Sequence, residues 1–351
     1  MESRSLISVG ISITAARTHY LVYGCSMNNF SSNTLTKHSS KQTMVDTCLI
    51  LQYHRVGQLC YDPLQWAVEP YKFESQMEYL ANNCNVISMD KMRQHIEAAI
   101  PFQQRTVVVT FDGGYADVLY AAREILERYH IFTTVFSTSA SIIKREQFWW
   151  DILEDYFIAN RFCGQLEVEI DRKMLKWPMR NQLDKFRAYY DLYSVLIDRA
   201  ATEQQDILNQ IVASVDLQAE EPDGHRIMDA QELKELDESD LISIGGHSHN
   251  GVKLSSMSQQ QQAEEVSKNK DVLEEVLGHK IDYFSYLFGD DGCGSTGMNK
   301  ILKDNGFSIA CGNSYSMVNP AGKLNFYDLP RVKVGNWNQI TFHAFLERFW
   351  G

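Results

Sequence analysis

TFDGGYAD, residues 110–117, decides how the rest of the chain is read. It completes RTVVVTF (105–111), a short apolar run of the kind that lies buried in a parallel sheet. The run ends at Asp112, and Gly113 and Gly114 turn the chain into a stretch where Val118, Ala122, Ile125 and Leu126 recur at helical spacing. A carboxylate at the carboxyl end of such a strand stands where α/β folds collect their functional groups. Asp112 before two glycines also fits a plain helix cap. The two glycines lack the GxGxxG or Walker spacing of a phosphate cradle.

The same rhythm extends outward in both directions. TCLILQYHRV (47–56) is an apolar run ending in polar residues, and Tyr71 to Asn82 sets Phe73, Met77 and Leu80 on one helical face. NVISM (85–89) and IFTTVFS (131–137) read as strands. Beyond them, LISIGGHSHN (241–250) returns to the strand pattern, and residues 258–277 form a helix closed by Gly278, with Ala263, Val266, Leu273 and Leu277 inward. Strands are expected at Ile281–Tyr286, Phe307–Ala310 and Leu329–Val334. Strands alternating with helices at short spacing predict parallel βαβ units. Residues from about 150 to 240 break the rhythm with helical patterns at Leu183–Leu196 and Glu203–Val215, and are expected to be a helical insertion.

Composition bounds the partners. With 45 acidic against 33 basic residues and a net charge of −12, the chain has no basic stripe for a phosphate backbone, so nucleic acid is not an expected ligand. Seven scattered cysteines without a CxxC spacing exclude a thiolate zinc site and a disulfide framework, which favours a reducing, cytoplasmic address. No segment approaches the ~20 apolar residues that span a bilayer. Residues 1–46 are rich in Ser and Thr with Glu2 as their one acid until Asp46, a bias shared by targeting peptides and poorly ordered tails.

Three strand ends carry candidate chemistry: Asp112, the pair His247 and His249, and the aromatic turn YLFG (286–289). Together with YHRV (53–56), FWWD (148–151), GHSHNGVKLSSMS (246–258) and LPR (329–331), in this order, they resemble the polysaccharide deacetylase family (NodB homology, carbohydrate esterase family 4), in its surface-polysaccharide branch. The resemblance runs over about residues 47–348 and implies an α/β fold, an irregular (β/α)7-type barrel with the helical insertion, spanning 47–351. It implies hydrolysis of an N-acetyl group on an amino sugar, so an N-acetylated glycan is the expected partner and a divalent metal, zinc, the expected cofactor.

Residue by residue, the resemblance gives Asp112 the general-base position and the Phe288 N–H the oxyanion donor. The family's metal-binding Asp falls on Gly113, its first metal-binding His on His247 and its second on Gly251, so two of three ligands are missing. His249 lies two residues beyond His247, and in extended backbone such residues point the same way, so His247, His249 and Asp112 form a candidate rebuilt metal site. A carboxylate that binds the metal is a poorer base, which sets the two roles of Asp112 in conflict. Ser285 stands where many members have Arg, and Leu287 where they have Pro. The late His343 does not match the setting of the family's general acid.

Other readings accompany these. Trp149, Trp150 and Tyr286 have flat faces suited to sugar rings, while adjacent tryptophans also serve as packing anchors. Arg331 suits an anionic sugar group or a structural carboxylate. His54 ends the first strand and either reaches the rim or is an ordinary hydrogen-bonded histidine. Two functional classes therefore stand side by side: a deacetylase-like hydrolase with an altered metal site, and a metal-free pseudoenzyme that binds a glycan or a partner.

Overall fold

Alternating apolar runs become strands, and amphipathic runs become the helices that cover them. The structure, a computed structural model, describes residues 47–159, 163–214, 225–288, 294–320 and 324–351. The expectations for residues 1–46 lie outside the described residues.

The first half of the fold runs β1 (Cys48–Tyr53), β2 (Arg55–Val56), β3 (Ala67–Val68), α1 (Pro70–Asn83), β4 (Asn85–Val86), α2 (Met89–Glu97) and β5 (Thr106–Gly113). A π-helical turn, Val118–Ala122, leads into α3 (Arg123–Arg128), followed by β6 (Thr133–Ser137), α4 (Ser139–Lys144) and α5 (Trp149–Glu154). The inserted region holds an antiparallel hairpin, β7 (Gln165–Ile170) and β8 (Lys173–Pro178), then α6 (Gln182–Leu196), α7 (Ala201–Ser214) and α8 (Ala230–Asp237). The hairpin corrects the purely helical expectation for this region. QLEVEI alternates buried and exposed residues at period two, a strand signal that the surrounding helical patterns overshadowed. The sheet resumes with β9 (Ile242–Gly246), α9 (Gln259–Leu277), β10 (Tyr283–Ser285), α10 (Thr296–Asp304), β11 (Ile309–Cys311), β12 (Val332–Lys333) and α11 (Gln339–Trp350).

Strands pair in the order β11-β10-β9-β6-β5-β1-β12, with β4 also on β5, and every pairing within this sheet is parallel. The sheet curls into a half-barrel. On β1 and β5, Leu49, Leu51, Val107, Val109 and Phe111 pack outward among the helices, whereas Cys48, Ile50 and Val108 join Phe136, Ile309 and Leu329 in a second, interior core. The pleat continues this interior row to Gln52 and to Thr110 and Asp112, so polar groups enter the barrel only at its carboxyl rim. Residue Tyr53 pairs with Phe111, Asp112 with Phe136, and Ser137 with Gly246, which brings the ends of β1, β5, β6 and β9 level.

Helix α9 shows how the rim is supported. Ser258 and Gln261 form a capping box, and Gly278, as the sequence predicts, ends the helix, at φ 79°. Its buried face, however, carries Glu265 and Asn269 between Val266 and Leu273, and these polar groups hold the loop after β9. No helix among the described residues is long and apolar enough to cross a membrane.

Candidate active-site rim

Asp112 ends the interior row of β5 and is 2% exposed. Its carboxylate accepts from Arg331 through both terminal nitrogens, at 2.7 and 2.8 Å, and from the Gln52 side-chain amide at 2.7 Å. The Ser285 hydroxyl lies 3.3 Å from each oxygen. Burial, the largest single influence, pushes this carboxyl up, but the charge and hydrogen bonds of Arg331 together with His247 and His54 outweigh it and hold the carboxyl well below the ordinary carboxylate range. With the lone-pair sites of both oxygens engaged, Asp112 is an ionised structural anchor rather than a base poised to take a proton.

Arg331 is equally committed. Its Nε donates to the Gly312 carbonyl at 3.0 Å, and its Nη2 also donates to Ser285 Oγ and Asn313 Oδ1. Of the two sequence readings for Arg331, the structure takes the carboxylate partner and corrects the anionic-sugar contact.

His247 and His249 part company because Ser248 has φ 63°, in the left-handed region, which breaks the extended geometry that aligns alternate residues. The Nδ1 of His247 lies 2.8 Å from the Ser285 carbonyl, which can only accept, so Nδ1 carries the proton and Nε2 is the basic nitrogen. Burial pushes the His247 imidazole down in pKa, against the pull of Asp112. His249 instead points to Ser139, with Nδ1 2.8 Å from its hydroxyl, and its own backbone N–H donates to Glu265. Burial lowers His249 to about 4, with Lys268 and Lys144 adding to the effect. The expected trio of Asp112, His247 and His249 is therefore not assembled. The grouping of three His, Cys, Asp or Glu found with ligand atoms within 4.8 Å among the described residues is Asp151, Glu154 and His225.

The positions that the family resemblance assigns to the other two ligands are closed as well. Gly113 has φ 104°, and a Cβ there would stand 2.8 Å from the Tyr115 ring and 3.7 Å from Phe148. A Cβ on Gly251, at φ 67°, would meet the same Phe148 ring at 3.3 Å. Phe148 thus lies against both glycines, where a family metal would need oxygen and nitrogen donors. Residues present at this position do not fit a metal: one imidazole and aromatic carbon offer no three-ligand site.

The aromatic candidates are largely packing. Trp150 is 1% exposed, stacks on Phe148 at 4.4 Å and meets Phe288 and Trp66 edge-on. Trp149, also buried, packs against Trp150 and Tyr193. Tyr286 is buried, with its hydroxyl donating to the Tyr327 carbonyl. None of these three presents an open face to a sugar, which corrects the expectation for Trp149, Trp150 and Tyr286. Phe288 ends the described part of its turn at φ 62°, its ring half-buried against Trp149 and Trp150. His343 lies on α11, half exposed and paired with Glu347, so it takes no part in the rim.

His54 does reach the rim. Its ring stacks on Trp66 at 4.5 Å and 3°, and burial holds it well below the ordinary histidine range despite the attraction of Asp112. Lys333 stands beside Gln52 in register, and burial lowers it to about 8 while its ammonium donates to the Leu64 carbonyl. Sequence reasoning missed Gln52, Lys333, Glu265 and Asn269. The signal for the last two was an i, i+4 polar pair within a helix face that otherwise buries Val266 and Leu273.

The curled parallel sheet, with a buried Asp–Arg pair and a histidine at its carboxyl rim, defines an α/β half-barrel with its polar groups gathered at one end. Residues 196–310 match the family model for polysaccharide deacetylase, a span that includes His247 and Ser285 and excludes Asp112 and Arg331. The matched span takes in the GHSHNGVKLSSMS and YLFG segments and leaves YHRV, TFDGGYAD, FWWD and LPR outside it. Among solved structures, the chain is similar to the deacetylase PplD of Streptococcus pyogenes, at 13% identity and a TM-score of 0.54, covering 86% of this chain and 98% of that one. It is similar to IcaB from Ammonifex degensii, at 17% identity and a TM-score of 0.54, covering 86% and 96%. A de-N-acetylase from Aggregatibacter actinomycetemcomitans matches at 13% identity and a TM-score of 0.51, over 86% and 100%. At these identities the likeness carries the fold. No curated protein matches the chain.

Proposed function

We propose that this protein takes an N-acetylated glycan at the barrel rim without hydrolysing it by the family's metal route. The observation that carries this reading is the Phe148 ring lying against both Gly113 and Gly251, on the floor where the metal ligands would stand. The saturated Asp112–Arg331 pair supports it, because a carboxylate with both oxygens engaged has little basicity to offer. A second reading rests on His247, whose Nε2 is basic and faces the field of ionised Asp112. In that reading Nε2 removes a proton from water, the hydroxide oxygen attacks the acetamido carbonyl, the C–N bond breaks, and the proton passes to the leaving amine as acetate departs.

The test combines calorimetric binding of N-acetylated oligosaccharides with acetate release, with and without chelator, for wild type and His247→Ala. Glycan binding without acetate release supports the first reading. Chelator-insensitive release that disappears in His247→Ala supports the second. Release that chelator abolishes and zinc restores overturns both.

A further inference from the structure

The insertion boundary holds a donor cluster that the rim does not use. Asp151 and Glu154 lie one turn apart on α5, 3% and 6% exposed, and His225, 5% exposed, faces them from the chain that returns from the insertion. Backbone pairing fixes this return: Ala116 donates to the Arg226 carbonyl, Met228 donates to the Gly114 carbonyl, and Tyr115 bridges Ile227. The cluster is thereby tied to the same turn that follows Asp112.

The imidazole is oriented as a ligand. Its Nδ1 lies 2.9 Å from Asp155 Oδ1, so Nδ1–H donates to the carboxylate and, whenever the ring is neutral, its lone pair sits on Nε2. That Nε2 is buried and has no hydrogen-bond partner, and it aims at Glu154 Oε1 3.5 Å away. Two lone-pair atoms facing each other in a buried site repel unless a proton or a cation stands between them. Their separation is long for a charge-assisted hydrogen bond, at about 2.7–2.9 Å, and close to the roughly 3.4 Å between two donors held about 2.1 Å from a tetrahedral ion.

The surroundings favour a cation. Asp117, Asp151 and Glu154 share the field of one guanidinium, Arg55, which is itself bonded to Asp117, and Asp155 adds a fourth carboxylate against His225. Asp151 Oδ2 accepts from the Tyr115 hydroxyl at 2.9 Å, which orients this carboxylate as Asp155 orients His225. Outer hydrogen-bond partners of this kind, here on two of the three ligands, are the usual construction of a protein metal site.

We propose that Asp151, Glu154 and His225 hold a divalent cation, zinc or manganese, that clamps α5 to the chain returning from the insertion. One nitrogen and two carboxylate donors suit either ion. Asp155 is the positioning residue. This clamp does not rest on the reading of the rim, and its test does not read acetate release.

Full-length protein is stripped with chelator, dialysed against zinc chloride or manganese chloride, and assayed for bound metal per chain and for thermal unfolding. Wild type and His247→Gln are expected to bind about one ion per chain and to melt at higher temperature with metal than without. Glu154→Gln and His225→Gln are expected to lose at least tenfold in affinity and the thermal shift. Asp155→Asn is expected to weaken binding about 10–100-fold. If His225→Gln fails to fold, Glu154→Gln, which keeps shape and acceptor, carries the test. Wild type that binds neither ion, or an ion lost in His247→Gln and kept in Glu154→Gln, overturns the proposal; the first result would mean that a protonated His225 alone balances the carboxylates.

Discussion

Arg331→Met should be among the most damaging single changes at the rim, and its cost should depend on pH. The side chains of Arg331 and Asp112 are 0% and 3% exposed, and two short bonds join them. Removing one partner of a buried pair leaves an uncompensated charge and costs about 3–5 kcal/mol. In the wild type, Asp112 has a depressed pKa, so its contribution is fully present above the unfolded carboxylate value near ~3.9 and is lost as pH falls below it. In the variant, burial without Arg331 raises the Asp112 pKa, so the folded state holds a proton that the unfolded state releases. Variant stability then falls as pH rises from about 4 towards that raised value, and the gap to wild type widens. Urea unfolding followed by tryptophan fluorescence from pH 4.5 to 7.5 measures the gap. Replacing both charges, as Asp112→Leu with Arg331→Met, should cost less than Arg331→Met alone. A loss under about 1 kcal/mol at pH 7.5, or a gap that does not change with pH, would refute this account of the pair.

Restoring the family's ligands as Gly113→Asp with Gly251→His should not create a zinc site, because Phe148 and Tyr115 fill the space between them; metal analysis of the double variant beside wild type checks this. His249→Gln should leave metal content and any acetate release unchanged, since the ring bonds Ser139 away from Asp112. His249 is lowered to about 4, so the unfolded chain binds more protons between about pH 4 and 6.5 and stability rises with pH there; the variant should show a shallower rise in a pH series of thermal melts.

Much of the fold was legible because parallel strands buried on both faces read as continuous apolar runs, and TVVVTF and LILQY became β5 and β1. Helix α9 was legible from its apolar spacing and its Gly278 stop. Hairpin β7–β8 was lost because two six-residue strands lie within a region of longer helical patterns. At the rim, sequence spacing placed Asp112 and His247 at the carboxyl ends of two strands, and the level register of β5, β6 and β9 brings those ends to one rim with β6 between them. The pleat argument failed one residue later, because Ser248 adopts a positive φ that no local composition signals, and His249 turned to Ser139. Arg331 was read as either of two things because ion-pair partners far apart in sequence are set by strand order alone.

Gly113 is best understood through Tyr115 rather than as a missing ligand. The Tyr115 ring is fixed from several sides: its hydroxyl donates to Asp151 and accepts from the Trp150 indole N–H, Arg55 lies 4.5 Å above the ring, and Phe148 meets it edge-on. A side chain at position 113 would enter that ring at 2.8 Å while adopting φ 104°. Gly113→Ala therefore combines a strained backbone, about 1–2 kcal/mol, with overpacking of about 1–3 kcal/mol. The two parts separate in a double-mutant cycle with Tyr115→Val, which removes the ring and leaves the backbone demand. The cost of Gly113→Ala should fall by at least ~1 kcal/mol in the Val background, an interaction of the size contacting residues show. An equal cost in both backgrounds would mean that φ alone requires glycine, and that the aromatic floor is not what keeps a carboxylate from this position.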